Sequence, residues 1–163
     1  FYLNLQSYRK SLLSNSNPYT PAVNLVFALD EALKMMREEG LENIFLRHNK
    51  HKLAMSNAVK ALNLKLFADE KYLSPSITAI KTEGMDAEEF RKTIKKNFDI
   101  LLAGGQDHLK GKIFRVGHLG YVNDRDIITV VSVISNTLLD LGKITTQQAG
   151  EALLVVSRYL EGR

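Results

Sequence analysis

Arg115 is the one charge inside an apolar run. Lys112-Ile-Phe-Arg-Val-Gly-His-Leu-Gly120 sets a single guanidinium among Ile113, Phe114 and Val116. A guanidinium stays charged and is costly to desolvate unless an anion answers it. Its planar fork matches a carboxylate with two parallel hydrogen bonds. A strand that presents Arg115 to a cleft could therefore hold the carboxylate of a small substrate, whereas on the wet face of an edge strand the side chain would meet only solvent. Thr20-Pro21 is the second candidate. Threonine before proline is a helix start signal, with Thr20 as the N-cap and Pro21 in the first helical position. A helix N-terminus carries unpaired N–H groups and a partial positive charge, and so attracts phosphate. Thr20 would add a hydroxyl there and Asn17 an amide donor from the preceding loop; plain capping is the alternative.

Three other groups carry weaker signals. Gly104-Gly105 and Gly111 enclose Gln106-Asp-His-Leu-Lys110, which lacks the Gly-Lys-Ser/Thr ending of a phosphate-binding P-loop. It reads as a mobile loop, or a simple turn, near the Arg115 strand. His118 lies two residues beyond Val116 on the same strand face and reads as a packing or hydrogen-bonding histidine. Arg47-His-Asn-Lys-His-Lys52 is the densest basic run. Its two histidines have no carboxylate companion in the run, which makes a poor metal site, and the absence of interleaved aromatics makes a weak nucleic-acid signal. A solvated helix face is expected, with no metal site and no nucleic-acid partner.

The elements that must position these residues follow from periodicity. Leu3 to Leu13 reads as a short helix, and Ser14-Asn-Ser-Asn-Pro-Tyr19 as a loop. Ala22, Leu25, Val26, Leu29, Leu33 and Met36 recur at helical spacing as far as Gly40, a joint before a second long helix from Leu41 to Leu62. Short strands are predicted at Lys65–Phe67, Ile77–Lys81, Ile100–Leu102 and Ile113–Val116. Asp86-x-x-Glu89 opens a helix as a capping box, with Ala87, Phe90, Ile94 and Phe98 inward. Asp126–Leu141, with Asn123 as its cap and Gly142 at its end, reads as a helix despite its Ile and Val content. Thr145-x-x-Gln148 opens the last one. The expectation is an α+β fold: a small, mostly antiparallel sheet covered by helices over residues 49–163, preceded by a helical segment over residues 1–48.

Composition narrows the classes. The 163 residues are 45% hydrophobic and 25% charged, as in globular domains. The net charge of +4 favours anionic small molecules slightly. With no cysteine, the segment has no disulfide, no thiolate catalysis and no cysteine ligand for zinc or an iron–sulfur cluster. No apolar run of about 18 residues occurs, so no membrane span is predicted. No signal segment opens the chain, and a cytoplasmic location is expected. A start on Phe1 rather than methionine is expected of a piece of something longer.

Taken together, Asn17-Pro-Tyr-Thr-Pro-Ala-Val23, Ala28-Leu-Asp-Glu-Ala-Leu33, Glu39-Gly-Leu-Glu42, Arg47-His48, Gly104-Gly105 and Lys112–Gly120 resemble the C-terminal part of class V aminotransferases. The nearest group is the alanine–glyoxylate and serine–glyoxylate (serine–pyruvate) aminotransferases; cyanobacterial relatives have been labelled soluble hydrogenase small subunits. The resemblance implies pyridoxal 5'-phosphate as cofactor, a homodimer, and amino transfer between alanine or serine and glyoxylate or pyruvate. It implies that Arg115 binds the substrate carboxylate and that Thr20 reaches across the dimer to the cofactor phosphate. Asn17 stands where some relatives carry a tyrosine that touches the same phosphate. It also implies that residues 1–48 end the large domain and form the connecting helix, and that 49–163 form the small domain. The family's cofactor-binding lysine belongs upstream, so no catalytic residue is expected in this segment and the segment alone is expected to be inactive. The alternative is a stand-alone α+β module that binds an anionic metabolite through Arg115 and regulates a partner.

Overall fold

The computed structural model describes residues 1–161. They form two compact units that divide inside the third helix, between Ile44 and Phe45.

The first unit contains α1 (Leu5–Leu12), α2 (Val23–Glu39) and the first turn of α3 (Leu41–Ala61). Asn4 caps α1 by accepting from the N–H groups of Gln6 and Ser7. Thr20 does not cap α2, which corrects the sequence expectation. Ala22 holds the N-cap position with φ −78° and ψ 67°, the geometry of an inverse γ-turn. The Val23 N–H donates back to the Pro21 carbonyl at 2.9 Å. That turn satisfies the first free N–H of the helix without a side chain, so α2 starts at Val23 rather than Pro21. Gly40 ends α2 with φ 83°, a conformation open to glycine and strained for residues with a Cβ, and α3 begins at once. No residue from 1 to 44 is buried.

The second unit carries a four-stranded, fully antiparallel sheet: β1 (Lys65–Leu66), β2 (Ile77–Lys81), β3 (Ala103–Gly104) and β4 (Ile113–Gly117), in the spatial order β1-β2-β4-β3. β4 is thus central, and Arg115 is not on an edge strand. The helices of this unit are the remainder of α3, α4 (Ala87–Phe98), α5 (Asp124–Asp140) and α6 (Thr146–Leu160). The α+β expectation holds. Strand alternation sends Ile80, Phe114 and Val116 into one continuous core with Met55 and Val59 of α3, Phe90 and Ile94 of α4, Ile127, Val131 and Ile134 of α5, and Ala152 and Val156 of α6. Arg115 faces the opposite side of the sheet.

The helix starts follow their caps. Asn123 with Asp126, and Thr145 with Gln148, form complete capping boxes for α5 and α6. Asp86 caps α4 by accepting from the Glu88 and Glu89 N–H groups, while the Glu89 carboxylate turns to Lys92 instead of closing the box. One strand is displaced: Ile100–Leu102 is unpaired, and the β3 pairing begins at Ala103. The reason is local. Asp99 ends α4 in the left-handed conformation, Leu102 is buried in the core, and the Leu102 carbonyl is taken by the Arg91 side chain at 2.7 Å rather than by a neighbouring strand.

Candidate functional site

Arg115 sits in the middle of β4, opposite Ala79 of β2 and Ala103 of β3. Two methyl side chains beside it leave room for the guanidinium across the sheet face, where the residue is partly buried. Its Nε donates to the Gly104 carbonyl at 2.9 Å. The two terminal nitrogens have no partner among the described residues. A guanidinium fixed at Nε with its fork open has the geometry to pair with a carboxylate in two parallel bonds.

The edge beside it is held from outside. Arg91 donates from Nε to the Leu102 carbonyl at 2.7 Å and from Nη1 to Glu88 Oε2 at 2.8 Å. This pair lies against Gly104, where an added Cβ would come within 2.5 Å of Arg91 Nη1 and 2.6 Å of Glu88 Oε1. Gly105 is as tight on its other side, with a Cβ position 2.1 Å from the Leu109 carbonyl oxygen. The loop between Gly105 and Gly111 is a 3-10 turn at Asp107–Leu109.

His118 follows β4 and is fully buried. Its Nδ1 faces the Pro75 carbonyl at 3.2 Å and its Nε2 the Thr78 hydroxyl at 2.9 Å. Burial pushes its pKa down to about 4, so it is neutral at pH 7 and serves packing and hydrogen bonding. The basic run at 47–52 is not a solvated face, against expectation. Arg47 donates from Nη1 to the carbonyls of Gly120 and Val122 at 2.9 Å each. Lys50 meets Asp124 Oδ2 at 2.8 Å, and the fully buried His51 meets Asp124 Oδ1 at 2.9 Å. Burial lowers the His51 pKa. Burial also raises that of Asp124, but hydrogen bonds from Lys50 and His51 outweigh it and hold the carboxyl below its ordinary range. The run anchors α3 to the start of α5 and to the segment that leaves β4. The carboxylate companion existed all along, 73 positions away, where spacing along the chain cannot show it. Among the described residues no cluster could hold a metal ion.

Thr20 and Asn17 belong to the first unit and lie on an exposed loop. Tyr19 between them packs on Phe1 and Tyr2, each at a centroid distance of 4.8 Å, and on Tyr8 at 6.0 Å, and its hydroxyl donates to the Phe1 carbonyl. Among the described residues the Thr20 hydroxyl and the Asn17 amide have no hydrogen-bond partner. Sequence reasoning missed Arg91 and Asp124. For Arg91 the only available signal was its i, i+3 spacing from Glu88.

No family model matches the chain. A serine–glyoxylate aminotransferase from Methylorubrum extorquens is 34% identical over 161 residues, covering 98% of this chain and 40% of the relative. The crystal structure of a ureidoglycine–glyoxylate aminotransferase from Bacillus subtilis superposes with a TM-score of 0.81 at 32% identity, over 89% of this chain and 38% of that one. The chain is a homologue of the glyoxylate aminotransferases. A relative from Anabaena cylindrica, 55% identical over 87% of this chain and 37% of its own length, carries the name soluble hydrogenase 42 kDa subunit, a label separate from the aminotransferase names. The chain thus spans about two fifths of the length of these relatives, and the part it matches is the C-terminal part of the aminotransferase fold. Among the described residues no helix is long and apolar enough to cross a membrane.

Proposed function

We propose that this chain is part of a pyridoxal-phosphate-dependent aminotransferase that moves an amino group between alanine or serine and glyoxylate or pyruvate, and that Arg115 binds the substrate carboxylate. One observation carries the reading: a guanidinium on a central strand, anchored at Nε, with its fork unpaired. Substrates of this class share one carboxylate, and a fixed fork would orient both the amino donor and the 2-oxo acceptor.

Residues 1–48 would end the large domain and form the connecting helix, and 49–163 the small domain, in a homodimer. Thr20, and beside it Asn17, would meet the cofactor phosphate, Thr20 from across the dimer. The free hydroxyl and amide suit that role, since a phosphate needs donors not already spent on the chain's own backbone. When bound, pyridoxal phosphate supplies the electron sink that stabilises negative charge at the substrate carbon. The chain's own contribution is narrower: Arg115 holds and orients the carboxylate, and Thr20 and Asn17 hold the phosphate.

The test is steady-state kinetics of the complete protein. Arg115→Ala is expected to raise KM for both substrates and to lower kcat/KM by at least about tenfold, a loss of about 1.4 kcal/mol of charge-assisted binding. Unchanged kinetics would remove Arg115 from the site. Carboxylate binding without turnover by the complete wild-type protein would favour a binding module over an enzyme.

A further inference from the structure

β3 is two residues long and pairs with a strand on one side only. Ladder bonds alone cannot fix so short an edge. The Arg91–Glu88 pair takes the place of the missing neighbour. Arg91 grips the Leu102 carbonyl, closes on Glu88, and lies against the bare Cα of Gly104, as described above. The two side chains are only 20% and 29% exposed, so they are held in place rather than waving in solvent. Gly104 then hands its carbonyl to Arg115 Nε.

Contact therefore runs unbroken from α4 to the guanidinium. That Gly104 carbonyl is the only polar partner of the Arg115 side chain among the described residues, so it sets how the plane of the fork is rolled. A bidentate carboxylate pair depends on that plane, and small displacements of a positioned group are enough to lose binding.

We propose that Glu88, Arg91 and Gly104 are positioning residues for carboxylate recognition, holding the 102–104 edge so that Arg115 presents its fork at a fixed angle. The inference rests on the reading of Arg115 as the carboxylate-binding residue. None of the three touches substrate. A methyl group at 104 would push the ion pair away from the edge, and loss of the guanidinium at 91 would release the Leu102 carbonyl.

The test uses the complete, cofactor-loaded protein, with Arg91→Gln and Gly104→Ala made singly and each in an Arg115→Ala background. Each single variant is expected to raise KM for the amino acid and the 2-oxo acid by about fivefold or more while kcat stays within about twofold. In the Arg115→Ala background the same changes should shift KM by less than about twofold, because residues that act through a common partner are not additive. If Gly104→Ala does not fold, Glu88→Gln carries the same expectation, since it weakens the grip without adding a side chain. KM unchanged in the single variants, kcat falling in step with kcat/KM, or equal effects in both backgrounds would each overturn the inference. If Arg115→Ala raises KM but the Arg91 and Gly104 variants do not, the inference fails and the functional reading stands. If Arg115→Ala itself has no effect, the functional reading fails and the inference falls with it.

Discussion

A fully buried histidine and a partly buried arginine ask opposite things of their surroundings. Arg115 cannot lose its charge, and it stays partly open to solvent. His118 can lose its proton, and it does. The Pro75 carbonyl accepts from Nδ1–H, and in the neutral ring the Thr78 hydroxyl donates to Nε2, so both ring nitrogens are satisfied without a charge. Burial, with the charges of His51 and His48 adding to it, depresses the folded-state pKa to about 4. The unfolded chain takes up a proton near pH 6.5 and the folded chain does not, so stability is fully present above that pH and is lost as pH falls towards about 4. Across that window the loss from this residue is at most roughly 3 kcal/mol. His51, also depressed by burial, acts in the same direction. Asp124, held below its ordinary range, adds its own loss only at lower pH. Urea midpoints measured between about pH 7 and about pH 4.5 should fall for the wild type, and His118→Gln should fall less steeply. Parallel pH slopes for the two proteins would show that His118 is not the group being protonated.

Elements were readable where the signal was local. The α5 and α6 boxes, the Asp86 cap and the alternation of β2 and β4 all lie within a few residues, and the structure repeats them. Two features failed because a distant or unexpected bond won. Arg91 took the Leu102 carbonyl and so displaced the expected strand; a γ-turn at Ala22 did the work assigned to the Thr20 hydroxyl. Arg115 stood out because a charge in an apolar strand is conspicuous in any sequence, whereas the role of 47–52 needed Asp124 from another helix. That junction between α3 and α5 is the element-scale test. His51 Nδ1 has no partner among the described residues, so Asp124 is the sole answer to a fully buried ring. Asp124→Ala should cost about 1–3 kcal/mol, the price of leaving a buried donor unmet. Asp124→Asn keeps an acceptor oxygen and should cost less. The denaturation midpoints of the two variants decide it, and equal losses would mean that charge rather than the hydrogen bond joins the helices.

For the whole molecule the contrast between the units is decisive. Among the described residues every buried side chain lies in 45–161 and none in 1–44. Along α2 the expected apolar stripe is present in the sequence, yet Leu25 is 70% exposed, Val26 61% and Leu29 58%. A helix draws most of its stability from packing an apolar face, and an isolated one of this length is marginal in water. The helices of the first unit therefore lack, in this chain alone, the burial that would hold them. The proposed function supplies a reason: a helix that ends a large domain and joins it to a small one would be covered by the rest of the complete dimer. Hydrogen exchange can measure the difference. In the 163-residue chain the amides of α1 and α2 should exchange at rates close to those of a fraying helix, while the amides of β2, β4 and α5 stay protected. In the complete protein the α2 amides should slow by at least about a hundredfold as their apolar face is buried. Strong protection of α2 in the short chain, at concentrations where it is monomeric, would show that these helices stand without a cover, and the placement of residues 1–48 inside a larger domain would lose its physical basis.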